Sequence, residues 1–383
     1  MKITKLEAIP CSIPRQGGGP GSNVVLIKVY TDEGIIGAGE GGQCNQDAVM
    51  LTAKTMGGMI IGENPFDIGL IMNKISMGFG GSNATFNSSI DFALYDIMGK
   101  AINQPVYQLL GGKALEKLAI GMEIARGTPK ERAAVAERAL NNGVRNMVCK
   151  TWGANTIFDV IENVKAIREA VGDEVLVGID ANGGLDYSTA LDLCLRLEEY
   201  DIYKVEQPVP TWDIDGLARL QKKLHTPVWA HESAITIHGL LECIKKDACD
   251  GVCVKLAWTG GIRKSLEWAG IAKAANLAIS CGSMMGSGYE AAAQAHFLAA
   301  DPWMTKFAHA NLGPALLSGQ WDTTNPPVTT DLSKNPPVYK DGYFYPPEGP
   351  GLGLELNEEL IPKIITQGKS SIVVDQRVES PFF

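Results

Sequence analysis

The feature that most constrains this chain is a repeat of character rather than of letters. From about residue 118, short apolar runs alternate with amphipathic stretches of helical period. The runs are LAIGMEI, RNMVCK, VLVGID, YKVEQP, VWAHES, GVCVKLA, LAISCGS and KFAHANL. Between them lie segments such as FDVIENVKAIREAV and IRKSLEWAGIAKAAN. Eight strands at roughly 25-residue spacing, with helices between them, predict an α/β fold whose parallel sheet closes into a (β/α) barrel. The rival is an open, doubly wound sheet. No GxGxxG follows the first run, and the strand count suits closure better.

Ahead of this pattern the chain reads as α+β. NVVLIKVYTDEGIIGAGE alternates apolar and polar residues around TDEG, a β-hairpin signal. Residues 45–110 turn helical, and SSIDFALYDIMGKAI has apolar residues at helical spacing behind a serine cap. After about 320 the chain becomes rich in Pro and Gly, as in NPPVYKDGYFYPPEGPGLGLEL, a segment expected to return to the N-terminal lobe. The expected division is residues 1–117 as an α+β unit, 118–320 as the barrel and 321–383 as the returning segment. A chain of 383 residues has room for a barrel and a smaller lobe.

Composition limits the partners. A formal net charge of −9 argues against nucleic-acid binding, which needs a basic stripe. No run approaches the length of a membrane span, so no membrane partner is expected. The opening MKITKLEAIPCSIP alternates like a strand and lacks the apolar core of a signal peptide. Eight cysteines are scattered without a CxxC pair, which suits free thiols in a reducing cytoplasm. A small carboxylate needs only a local positive site. Homo-oligomerisation is also expected of a barrel with an added lobe.

Polar residues stand at the C-terminal ends of several runs: Lys150, Asp180, Glu206, His231 or Glu232, and Lys255. In a barrel these ends form one rim, where catalytic groups of this fold collect. Asp180 and Glu206 are hard oxygen donors on adjacent strands and suit Mg²⁺. Such an ion neutralises charge that develops on a substrate oxygen. Lys150 and Lys255 fall on opposite sides of the barrel. A lysine beside a divalent cation is destabilised as ammonium and can serve as a base near neutral pH. For any one of these residues, a structural ion pair is an equally good reading. The ordered series of Lys, Asp, Glu, an acidic position and Lys is what points to a site.

With these residues in view, the chain resembles the enolase superfamily, in particular the mandelate racemase and muconate lactonizing enzyme family. The likeness runs through YTDEGIIGAGE, SSIDFALYDIMGKAINQPVYQLLGG, VGIDANGG, VEQP and GVCVKLAWTGGI, nearly the whole chain. It implies an N-terminal α+β capping domain over a modified (β/α)₇β TIM-type barrel. It implies Mg²⁺ and removal of the proton α to a carboxylate through an enolate. Asp180, with Asn182 beside it, and Glu206 stand at two metal-ligand positions, and Lys150 and Lys255 at the acid/base positions of the two-lysine branch. Racemisation or epimerisation of a small carboxylate or amino-acid derivative is the first expectation. A dehydratase or a cycloisomerase is the second, and a metal-binding barrel whose motifs have drifted is the third.

The departures are specific. The family's Lys-x-Lys is Val148-Cys149-Lys150 here, and its Asp-Glu-Ser is His231-Glu232-Ser233. Spacing admits either His231 or Glu232 as third ligand. Chemistry favours Glu232, because Mg²⁺ prefers oxygen. His231 then becomes a neighbour of the metal site or of the substrate. Lys204, two residues before Glu206, is expected inside the barrel, where it neutralises carboxylates or lowers the pKa of Lys150. The loop CGSMMGSG, with Ser283 and Met284, offers backbone N–H groups to a substrate oxygen or is simply a turn. RQGGGPGSN reads as a lid, and His309 ends the last presumed strand within reach of the site.

Overall fold

The computed structural model describes residues 1–14, 22–76, 83–305, 309–310 and 330–379. The hairpin signal becomes β1 (Ile3–Ile13), β2 (Ser22–Thr31) and β3 (Ile36–Gly39), all antiparallel. The strand Ile372–Val374 adds to the free edge of β1. Helices α1 (Gln46–Met56), α2 (Ile68–Ser76) and α3 (Ala84–Ala101) follow, with the short α4 (Val106–Leu109). Asn83, not a serine, caps α3: its side chain accepts from the Phe86 N–H. The helix therefore starts before the serines, because an Asn side chain reaches its own helix's orphan N–H as well as a serine does. At Gly39 an added Cβ would sit 2.0 Å from the Ser89 carbonyl oxygen, so β3 needs glycine to lie flat on α3. Asp96 of α3 accepts from the N–H groups of Ala38 and Leu352, tying helix, sheet and C-terminal segment together.

The eight apolar runs become β4 (Leu118–Ile124), β5 (Asn146–Lys150), β6 (Leu176–Asp180), β7 (Val205–Glu206), β8 (Val228–Ala230), β9 (Gly251–Val254), β10 (Ala278–Cys281) and β11 (His309–Ala310). Neighbours from β4 to β10 pair in parallel, and β11 pairs in parallel with β4, which brings the sheet round into a barrel. Closure rules out the open-sheet rival. The connecting helices are α5 (Pro129–Asn141), α6 (Ile157–Val171), α7 (Tyr187–Leu197), α8 (Ile214–Gln221), α9 (Ile237–Lys245), α10 (Leu256–Thr259) with α11 (Ile262–Ala274), and α12 (Gly288–Ala299). Thr128 with Glu131, and Thr156 with Asp159, form capping boxes that start α5 and α6. The strands are buried on both faces, so they read as continuous apolar runs.

Two interior layers matter for the site. Lys150, Asp180 and Glu206 occupy the rim; Val148 and Gly178 lie two residues below on β5 and β6, and Lys204 two residues before Glu206, just ahead of β7. At Gly178 a Cβ would approach the Lys204 side chain to 2.9 Å, so the glycine makes room for that lysine. Arg132 of α5 is buried and donates to the carbonyls of Ile124, Lys150 and Trp152. One guanidinium thereby fixes the exits of β4 and β5.

Candidate active site

Strand register sets the site. Lys150 pairs with Asp180 across β5 and β6, and Asp180 with Glu206 across β6 and β7. Charges far apart in sequence therefore stand side by side. Lys150 Nζ is 2.5 Å from Asp180 Oδ2 and 3.3 Å from Glu123 Oε1 on β4. Asn182 sits just past β6 with φ at +46°. Its backbone N–H donates to Asp180 Oδ1, and its amide donates to Glu232 Oε1, both at 2.8 Å. Lys204 Nζ lies 2.5 Å from Glu206 Oε2.

Four carboxylates, of Glu123, Asp180, Glu206 and Glu232, thus face the ammonium groups of Lys150 and Lys204 and the imidazole of His231, an excess of one negative charge with His231 protonated and of two with it neutral. Asp180 and Glu206 are buried, and Glu232 Oε2 has no hydrogen-bond partner among the described residues. Buried charge in excess demands a counter-ion. A hard divalent cation matches both the charge and the oxygen donors, so the residues present fit one.

The electrostatics agree. Burial opposes the Lys150 ammonium, but Glu123, Asp180 and Glu206 outweigh it and hold its pKa above the usual lysine range. Burial, then the Glu206 charge, raises Asp180. Glu206 is buried as well, yet Lys204 and His231 keep it well below the ordinary carboxylate range. Lys204 is therefore the neutralising partner of Glu206. Glu206 in turn raises Lys204, against burial.

His231 follows β8 and turns into the barrel. Its backbone N–H and that of Ser233 both donate to Gln207 Oε1, at 2.9 and 3.1 Å. Gln207, itself at φ +36°, thus clamps the exit of β8 to that of β7. His231 Nδ1 lies 2.9 Å from Glu206 Oε1 and 3.6 Å from Glu232 Oε2. Its ring stacks on Trp258, with centroids 5.3 Å apart. Burial lowers the His231 pKa, but Cys253 and Glu206 override it and push the value up to about 10. Among the described residues, the donor set drawn within 4.8 Å is Glu206, His231 and Cys253; Asp180 and Glu232 are not in it.

Lys255 follows β9. Its Nζ lies 4.0 Å from the Trp258 ring centroid, and no ion pair engages it among the described residues. Trp258 also walls a cavity of about 460 Å³ between the first turn of α3 and the loops after β8 and β9, with Asn87, Ile235, His238 and Lys264.

The loop after β10 departs from expectation. The Met284 and Gly286 N–H groups donate to Glu290, Ser287 donates to Glu40, and Gly288 to Asp331. These donors are committed to carboxylates and are not free to hold a substrate oxygen. Ser283 Oγ accepts from the Met285 N–H, and Met284 packs on Gly42 of the capping domain. Residues 15–21 of the presumed lid and the side chain of His309 lie outside the described residues. Sequence reasoning missed Arg132, Gln207, Cys253, Trp258 and the Glu40–Glu290 pair. Cys253 alone carried a signal, since it lies two residues before Lys255 and must share its face.

The class of protein follows from this rim under an α+β cap. Residues 8–111 match the mandelate racemase / muconate lactonizing enzyme N-terminal domain, and residues 131–360 match the enolase C-terminal domain-like family. The chain belongs to the mandelate racemase / muconate lactonizing enzyme family of the enolase superfamily. Among its relatives, an N-succinyl-L-Arg/Lys racemase of Bacillus cereus is 29% identical, over 95% of this chain and 98% of that one. A chloromuconate cycloisomerase of Cupriavidus pinatubonensis is 28% identical, over 88% of this chain and 90% of that one. A solved mandelate racemase/muconate lactonizing family protein from Azoarcus sp. EbN1 superposes with a TM-score of 0.89 at 37% identity, covering 98% of this chain and all of that one. No helix among the described residues is long and apolar enough to cross a membrane.

Proposed function

We propose that this chain is a Mg²⁺-dependent racemase or epimerase that removes and returns the proton α to the carboxylate of a small molecule such as an N-acylated amino acid. The observation that carries the reading is the placement of Lys150 and Lys255. Lys150 ends β5 and Lys255 follows β9, four strands apart in the ring, which supports a placement on opposite sides of the barrel mouth. Asp180, Glu206 and Glu232 would hold the Mg²⁺, which when bound supplies positive charge to the substrate carboxylate. Lys150 then takes the α-proton from one face of the substrate carbon, and Lys255 delivers one to the other. The reverse sequence serves the opposite enantiomer. Asn182 orients Asp180 and Glu232, and Trp258 screens Lys255 from solvent.

Cycloisomerisation is the second reading, supported by the relative that carries that name. The test is incubation in D₂O with a panel of N-acylated amino acids, dipeptides and muconates. Racemisation predicts deuterium at the α-carbon with inversion and no other change of mass. A cyclised or dehydrated product without α-exchange of the starting acid would overturn the first reading. The same proposal includes a reducing, cytoplasmic setting, which suits eight free cysteines, and self-association, which light scattering measures directly.

A further inference from the structure

The rim holds a second set of donors with different chemistry. Glu206, His231 and Cys253 come from the three consecutive strands β7, β8 and β9 or their ends. Cys253 lies two residues before Lys255, so its sulfur faces the barrel interior. All three side chains are buried, and one oxygen, nitrogen and sulfur atom lie within 4.8 Å of one another.

Two further observations point to a ligand there. His231 is 1% exposed, yet neither ring nitrogen has a hydrogen-bond partner among the described residues. The 2.9 Å approach of Nδ1 to Glu206 Oε1 is close without having the direction of a hydrogen bond. A buried imidazole whose ring nitrogens lack well-directed partners is costly. Glu206 is also divided: Lys204 takes Oε2, and Oε1 is the oxygen turned toward His231. Cys253 Sγ makes a long hydrogen bond, 3.9 Å to the Val254 carbonyl oxygen, and otherwise interacts with His231.

We propose that Glu206, His231 and Cys253 form a site for a thiophilic divalent cation of the Zn²⁺ type, separate from the all-oxygen set and sharing Glu206 with it. Nitrogen and sulfur donors suit Zn²⁺ and Co²⁺, whereas Mg²⁺ avoids them. Zn–S and Zn–N lengths of about 2.3 and 2.0 Å place tetrahedral donors about 3.5 Å apart, a contraction that small side-chain rotations supply. Cys253 binds as thiolate and His231 as neutral imidazole, and both protons pass to solvent. The thiolate supplies one negative charge to the cation, and Glu206, already paired with Lys204 through Oε2, supplies Oε1 as a donor. Three protein ligands leave a fourth position open. The site stands independently of the catalytic reading. Only its competition with Mg²⁺, through the shared Glu206, rests on that reading.

The test uses the full chain, stripped with a chelator and titrated with Co²⁺. One equivalent is expected to bind with a near-ultraviolet sulfur-to-cobalt charge-transfer band, and Zn²⁺ is expected to abolish that band. Cys253→Ser is expected to lose the band and bind Co²⁺ at least tenfold more weakly. Asp180→Asn is expected to keep the band while losing Mg²⁺, which separates this site from the oxygen set. Co²⁺ binding without the band in the unmodified protein would overturn the proposal whatever the variants do. So would a band that survives Cys253→Ser, because another cysteine would then be the ligand.

Discussion

Lys204 is a fully buried lysine whose amine meets Glu206 at 2.5 Å. Removing one partner of such a pair leaves an uncompensated charge in the interior. Lys204→Met is therefore expected to destabilise the fold by about 3–5 kcal/mol. Urea unfolding of the two proteins measures it, and an unshifted midpoint would show that Glu206 does not depend on this lysine. The choice between His231 and Glu232 belongs to the same scale. Asn182 draws Glu232 toward the Asp180 side of the rim, whereas His231 turns toward Cys253. Glu232→Gln is expected to weaken Mg²⁺ binding while His231→Ala retains it, read by calorimetric titration. The opposite pattern would assign the third Mg²⁺ ligand to His231. Lys150, Asp180 and Glu206 were legible in the sequence as strand-end charges because each closes an apolar run. Gln207 and Arg132 were not, because what they do depends on which backbone groups the fold brings within reach.

At the scale of elements, the joint between cap and barrel is built on buried carboxylates. Glu40 follows β3, Glu290 lies in the first turn of α12, and both hold N–H groups of the loop after β10. A Cβ on Gly286 would lie within 2.8 Å of both carboxylates, so they flank one residue of backbone. Burial, then the Glu40 charge, pushes Glu290 up to about 8, and burial raises Glu40 to about 7. Raised values mean that the folded state favours the protonated forms. Their contribution to stability is complete below the ordinary carboxylate pKa and is lost as pH rises through about 7 to 8. The melting temperature is expected to fall from about pH 5 to about pH 8 and to level off above that, and Glu290→Gln is expected to flatten that fall. Parallel pH profiles for the two proteins would remove the pair from the pH dependence. The elements themselves were readable, since all eight barrel strands coincide with the apolar runs. The role of this loop was not. A Gly-rich turn before a helix looks like an oxygen-binding cradle until the carboxylates that fill it arrive from residues 40 and 331.

For the whole molecule, closure of the barrel is what turns five strand ends into one rim. The parallel ring sets β5 and β9 four strands apart, and on the proposed reading Lys150 and Lys255 act on opposite faces of a bound carbon. Two-sided proton transfer has a stereochemical consequence that a single base would not have. On the proposed reading each lysine would handle the α-proton of one enantiomer. The most direct measurement follows loss of the α-proton signal in D₂O by NMR, with each enantiomer of a turned-over N-acylated amino acid and with Lys150→Ala and Lys255→Ala. Each variant is expected to lose exchange by ~10²–10⁴-fold on one enantiomer and to keep it on the other, with the enantiomers reversed between the two. Equal loss on both enantiomers in either variant, or no loss in Lys255→Ala, would contradict the account.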